Sequence, residues 1–417
     1  MELKITNVGK ISLAEIEIKG LTIIAGPNAT GKSTVSRSLF AMFHSFSKIS
    51  DKITLEKIYA IQKMFFSSNK HFEFMLTCQL QPRELAAILA GDVDKNRINK
   101  TLHNSNPTFE SPELVEELSD DIIKINSTSE ELLHREIVAE IFIDEFNSHI
   151  TNIRSNSKSE IELVIKDSKN KVVFDNKNEL TAIEVGKDLS YEVVYIDDPF
   201  VINSYNFIQD KLQLTLYGDV GEKVSNHRSS LISQYKNTEN LTLVDKANLK
   251  EKLNVIYKKI NDTLGADMAL FENGKNSVES HSSSDRLSVD SLSSGMKTFY
   301  LIKRLIDNGS IVQNTTLILD EPEVHLHPDW QVSLAEIIVL LQKEMGLHIL
   351  INTHSPYFLR AIEVYSQKYE IDSCVKYYLS CNEENVSKIK DVTLDISKIY
   401  KVLSKPLQRI EDEAYND

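Results

Sequence analysis

Gly26-Pro27-Asn28-Ala29-Thr30-Gly31-Lys32-Ser33 fits the pattern of a phosphate-binding loop, with glycines framing the turn and Lys-Ser closing it. Glycines let successive backbone N–H groups wrap phosphate oxygens, and a helix that starts here adds the positive end of its dipole. In this reading Lys32 contacts the β and γ phosphates of a nucleoside triphosphate, Ser33 places its hydroxyl on the nucleotide's Mg²⁺, and Thr34 reaches the α-phosphate. Leu317-Ile318-Leu319-Asp320-Glu321 is an apolar strand ending in two acids, which delivers one carboxylate to Mg²⁺ and a second to an attacking water. Asp320 takes the first role and Glu321 the second. A solvated strand end would explain the acids alone; the loop at Gly26 favours catalysis. Ser291-Leu292-Ser293-Ser294-Gly295-Met296-Lys297 reads as a helix start, a serine cap with exposed N–H donors.

These residues need elements to hold them. Alternation of apolar and polar residues up to Ile24 predicts strands leading into the loop, and Val35, Leu39, Phe40 and Phe43 at helical spacing predict a helix over Ser33–Phe46. From about residue 50 to 190, polar stretches separate amphipathic helices, such as Glu130–Ile150, and are followed by a hairpin of Ile161–Ile165 and Val172–Phe174 around Lys166–Asn170. A strand at Val193–Ile196 and a helix over roughly Val244–Leu264 come next. After Ser291 the pattern is a helix to Ile306, strand Thr316–Leu319, helix Trp330–Lys343 and strand His348–Asn352, then strand Val375–Leu379 and a helix from about Ile396 to Ile410. Strands alternating with helices imply a parallel sheet. The expected organisation is a core split between residues 1–50 and 285–417, a mainly helical insertion at 51–190, and a strand plus helical and β connection over 191–284. No heptad pattern persists, which excludes long coiled-coil arms.

Composition narrows the function. With 417 residues and 41% hydrophobic side chains the chain can bury a large core. No apolar run reaches the roughly 20 residues of a membrane span, and no signal-like segment opens the chain, so a soluble cytoplasmic protein without a membrane partner is expected. Cys78, Cys374 and Cys381 lack metal or disulfide spacing and read as ordinary thiols. A net charge of −14 argues against a surface that coats nucleic acid, while leaving room for DNA in a local basic groove. Between Glu113 and Glu145, eleven acids face only Lys124 and Arg135, a solvated helix face in preference to a partner platform.

The order of loop, Leu292-Ser293-Ser294-Gly295-Met296 and Asp320-Glu321 resembles the ABC/SMC ATPases, whose signature is usually written LSGGQ. The stretch Asp320-Glu321-Pro322-Glu323-Val324-His325-Leu326-His327-Pro328 is more similar to OLD-type and related AAA_15/AAA_21 ATPases than to a transporter. The resemblance covers residues 1–46 and about 285–365. It implies an α/β fold, a P-loop ABC-type ATPase head with a mostly parallel sheet interrupted by a largely helical insertion. It also implies ATP and Mg²⁺ as cofactors and a homodimer or higher homo-oligomer. Ser293 and Gly295 would bind the γ-phosphate held in the opposite subunit, and His354 of Asn352-Thr353-His354-Ser355 would be the switch histidine. Ser294 and Met296 depart from the signature. In Tyr195-Ile196-Asp197-Asp198-Pro199, Asp197 stands where such ATPases sense the γ-phosphate, often with Gln; a plain Asp-Asp-Pro turn is the competing reading. Glu323, His325 and His327 could ligate metal, yet alternating residues in a loop after a catalytic acid better suit subunit contacts.

Two functions compete. The first is an ATP-driven switch controlling a separately encoded effector, a nuclease or toxin, as in the standalone ATPases of anti-phage systems such as Septu, PARIS and retron modules. The second is an SMC/RecF-like ATPase that repairs or senses DNA. An OLD-type nuclease is disfavoured because the residues after His354 carry no cluster of acids, and a transporter subunit because about 260 residues separate Gly26 from Leu292.

Overall fold

The computed structural model describes residues 1–152, 157–187, 189, 193–203, 226–237, 241–264, 266–267, 277–280, 286–384 and 386–415. The described residues divide into two compact units, one of Met1–Phe46 with those of 141–203 and 226–415, the other of Ser47–Glu140.

The first unit is built on a large mixed sheet. Its strands are β1 (Glu2–Val8), β2 (Ile11–Glu17), β3 (Leu21–Ala25), β4 (Ser159–Ile165), β5 (Ser168–Phe174), β6 (Leu180–Glu184) and β7 (Val193–Ile196). After the short strands β8 (Ala266–Asp267), β9 (Ser277–Ser280) and β10 (Arg286–Ser288), which pair separately, come β11 (Thr316–Asp320), β12 (His348–Thr353), β13 (Val375–Glu383) and β14 (Val386–Asp391). The order is β6-β5-β4-β1-β2-β14-β13-β3-β12-β11-β7. From β13 to β7 every pairing is parallel, and the strands read as continuous buried runs, Leu21–Ala25 and Thr316–Leu319 among them, as strands covered on both faces must. From β6 to β2 the pairing is antiparallel and burial alternates, so β1 buries Leu3, Ile5 and Val8 and exposes Glu2 and Lys4. Register aligns the carboxyl ends of the central strands: Asp320 pairs with Asn352, Thr353 with Ala25, and Leu319 with Ile196. Loops leaving that edge therefore meet, which is where open α/β sheets place ligands.

Helix α1 (Lys32–Phe46) belongs to this unit. The second unit contains α2 (Ile49–Phe65), α3 (Asn69–Leu76), α4 (Pro82–Leu89), α5 (Lys95–Ser105), α6 (Pro112–Asn126) and most of α7 (Glu130–Glu145). Its core interleaves Phe65, Phe74, Leu85, Leu89, Ile98, Leu102, Leu118 and Ile122. Asp94 and Ser111 cap α5 and α6, each accepting backbone N–H bonds. Glu116 and Asp120 of the acidic stretch are exposed and pair with Lys95 at 2.7 and 2.6 Å. The chain continues in the first unit with α8 (His227–Lys236), α9 (Leu243–Lys252), α10 (Asn254–Leu264), α11 (Ser294–Asp307), α12 (Pro328–Met345), α13 (Pro356–Lys368), α14 (Ser397–Leu403) and α15 (Lys405–Tyr415). Among the described residues no helix is long and apolar enough to cross a membrane.

Several boundaries differ from the sequence expectation. The helix from Glu130 ends at Glu145 rather than Ile150, because Asn147 and Ser148 adopt left-handed φ of 49° and 63° and Ser148 N–H returns to Ile143 O at 2.8 Å. The expected Val244–Leu264 helix is two: α9 buries nothing, whereas α10 buries Ile256, Ile260 and Leu264, so a single apolar stripe never existed. The terminal helix likewise breaks at Ser404, since Pro406 has no N–H to give the carbonyl four residues earlier. The hairpin turn is only Lys166-Asp167, with Lys166 at φ 54° and Ile165 opposite Ser168.

Candidate nucleotide site

The loop after β3 is clamped from behind by β13. Ser380 Oγ donates to Thr30 O at 2.7 Å, and Thr30 Oγ1 donates to Pro27 O at 2.8 Å. A Cβ on Gly26 would stand 2.3 Å from Ser380 O, and Gly31, at φ +88°, brings its Cα side against Ile11. Only glycine permits that approach, and the loop then turns directly into α1 at Lys32. The result is a pocket of about 380 Å³ lined by Lys10, Asn28, Ala29, Thr30, Gly31, Lys32, Ser33, Thr34 and Glu321. Gly26 and Pro27 act through their carbonyls, which accept from Lys32 Nζ at 3.1 and 3.0 Å.

Glu321 reaches this pocket from β11. Its backbone is left-handed, φ 51°, and its N–H donates to Asn352 O at 2.9 Å. A side chain in that region is strained and persists only where its surroundings impose it. Its carboxylate lies 3.4 Å from Lys32 Nζ and 3.2 Å from His354 Nδ1, the latter a charge contact without hydrogen-bond alignment. His354, with Lys32 adding to it, holds Glu321 below the usual carboxylate range despite partial burial; Glu321 in turn raises His354. An ionised carboxylate at the pocket wall can accept a proton from a water. Glu323 lies behind, with its pKa raised by burial, accepting from Thr353 Oγ1 and from His354 N–H at 3.2 Å, so it fixes the loop that carries His354.

Asp320 is held by two donors. Asn352 Nδ2 gives one hydrogen to Asp320 Oδ1 at 2.8 Å and one to Ser36 Oγ at 2.8 Å, and Tyr195 OH donates to Asp320 Oδ2 at 3.0 Å. Each carboxylate oxygen keeps a free lone pair. A hydroxyl from exposed Ser33 and an oriented carboxylate from Asp320 form the sparse, hard oxygen set that Mg²⁺ takes when phosphate oxygens and water complete its shell.

Of the residues singled out in the sequence, Lys32, Ser33, Thr34 and Glu321 share one pocket and His354 touches Glu321. Asp197 does not line it; it lines a neighbouring pocket of about 310 Å³ with Asp320, Glu321 and Arg228, in ion pairs with His227 and Arg228. Ser293 caps α11, and Gly295 packs where a Cβ would meet Leu326 at 2.9 Å; neither is among the described lining of the Lys32 pocket. His325 sits edge-on to Phe200 and His327 caps α12. Sequence reading missed Lys10, Asn352, Tyr195 and Ser380, and it weighed Glu323 for metal or subunit contacts, whereas its carboxylate anchors the loop of His354. Asn352, a polar residue in the apolar run Ile349–Ile351, was the one available signal.

No curated protein matches the chain. Among solved structures, the SMC head domain from Thermotoga maritima gives a TM-score of 0.39 at 12% identity, covering 94% of this chain and 98% of that one. The Smc head domain with an extended coiled coil bound to the C-terminal domain of ScpA, derived from Pyrococcus furiosus, gives 0.41 at 11% identity, covering 98% of each. A family model matches residues 21–360, from the strand before the loop to beyond His354. The chain belongs to the AAA_21 family, described as "AAA domain, putative AbiEii toxin, Type IV TA system", and is an ATPase-type P-loop protein.

Proposed function

We propose that the protein binds and hydrolyses ATP as a switch: ATP joins two copies head to head, and the closed pair controls a separately encoded effector, a nuclease or toxin, in anti-phage defence. One observation carries the reading. Lys32 and Glu321 line one pocket and His354 touches Glu321, whereas exposed Ser293, the cap of α11, is not among the described lining of that pocket, which supports its meeting a phosphate held by another copy. In hydrolysis, Glu321 takes a proton from the water as its oxygen attacks the γ-phosphorus, the bond to the β-phosphate oxygen breaks, and Lys32 balances charge on the transferring group. Ser33 and Asp320 would hold the nucleotide's Mg²⁺, which would supply positive charge against the phosphates. ATP drives closure by binding the closed pair better than the open one.

The test is the oligomeric state of E321Q and K32A by light scattering with Mg-ATP. E321Q is expected to accumulate as a dimer only with ATP, and K32A to stay in its nucleotide-free state. A dimer indifferent to ATP, or ATP affinity unchanged in K32A, overturns the reading.

A further inference from the structure

A second group of ionisable side chains lies buried at the carboxyl end of β7. His227 opens α8, and its backbone N–H donates to Glu145 Oε2 at 2.9 Å while Nδ1 lies 2.8 Å from Glu145 Oε1. Nε2 stands 3.0 Å from Asp197 Oδ2, an ion pair not aligned as a hydrogen bond. A neutral ring would turn a lone pair toward one of these carboxylates, whereas the imidazolium presents N–H to both. Burial opposes that charge, but Asp197 and Glu145 outweigh it and raise His227 to about 9. Against its own burial, Asp197 is held at about 2 by His227 and Arg228. The other charges nearby are Arg228, 3.0 Å from Asp197 Oδ2, and Arg37, whose Nε is 4.0 Å from Glu145 Oε1.

The imidazole also carries a ring on its face. Tyr195 stacks on it with centroids 4.3 Å apart and planes at 27°, and Phe40 meets it edge-on at 6.1 Å. Tyr195 is 2% exposed, and its hydroxyl donates to Asp320 Oδ2 at 3.0 Å.

We propose that His227 is a positioning residue for the nucleotide's Mg²⁺: it fixes the Tyr195 ring, and the Tyr195 hydroxyl fixes Asp320. The inference rests on the ATP reading. A cation against the ring face withdraws electron density from the phenol and strengthens its O–H as a donor, and the flanking carboxylates keep the ring from turning. His227 touches no nucleotide group, so its effect passes through Tyr195.

The test uses the full chain and equilibrium binding of a fluorescent ATP analogue while Mg²⁺ is titrated, so no turnover is needed. Y195F keeps the ring and the ion pairs and loses only the hydroxyl. It should raise the Mg²⁺ midpoint about 10-fold and change affinity at saturating Mg²⁺ by less than about 2-fold, the size of loss seen when a metal ligand's orienting partner is removed. H227Q should shift the midpoint likewise, and H227Q/Y195F no further than Y195F alone. If H227Q fails to fold because two carboxylates lose their cation, E145Q/H227Q removes one of them and takes its place. The inference is overturned if Y195F retains the wild-type Mg²⁺ dependence, or if the losses multiply in the double variant. A wild-type chain that binds no analogue at any Mg²⁺ concentration refutes the ATP reading instead.

Discussion

The loop at Gly26–Thr34 and the cluster at Glu145, Asp197 and His227 stand at the same edge of one sheet, yet they are built in opposite ways. The loop is a contiguous run whose backbone does the binding, so a few glycines and a Lys-Ser pair specify it. The cluster is assembled from the end of α7, the end of β7 and the start of α8, with Glu145 and His227 82 positions apart in the chain. Its chemistry comes from mutual burial. A contiguous site breaks where the backbone is disturbed; an assembled one breaks where a single charge is removed.

That contrast can be pushed at four positions, in falling order of effect. G26A puts a methyl against Ser380 O, and overpacking against backbone should cost about 3 kcal/mol, read as a roughly 100-fold loss of ATP affinity by titration calorimetry. Preserved affinity would show that the loop gives way. H227Q comes next. Because the folded pKa of His227 is raised to about 9 from 6.5, its contribution is fully present below pH 6.5 and is lost as pH rises through 9. The pH-dependent part of the difference in denaturant stability between wild type and H227Q should therefore be about 3 kcal/mol at pH 6 and vanish by pH 10. A difference independent of pH would mean His227 is neutral. N352A removes a donor from Asp320 without touching the loop and should lower hydrolysis about 10-fold in single-turnover measurements, with ATP still bound. S293A is the mildest: its capping bond is long, 3.4 Å, so melting should report a loss of at most about 1 kcal/mol.

The same contrast explains what the sequence made legible. Gly26 to Lys32 and Leu317 to Glu321 could be read because the chemistry follows the chain. The central strands could be read because burial on both faces forces an unbroken apolar run. Asn352, Tyr195 and Ser380 could not, since each acts on a neighbouring strand and only the order β13-β3-β12-β11-β7 makes them neighbours. Asp197 was singled out, but its partners His227 and Arg228 were not, and no local pattern marks a histidine that will lie between two acids. The β4–β5 hairpin could be read from its own alternation, but its attachment to β1, far back along the chain, was equally hidden.

The central claim is that one ATP site needs two copies of the chain, and mixing two inactive variants tests it. K32A lacks a working phosphate loop and S293R blocks the α11 cap. A mixed pair would hold one complete site, Lys32 from one copy and Ser293 from the other. An equal mixture should recover roughly a quarter of wild-type hydrolysis, since half the pairs are mixed and each has one intact site of two. A mixture as inactive as either variant alone would contradict the account.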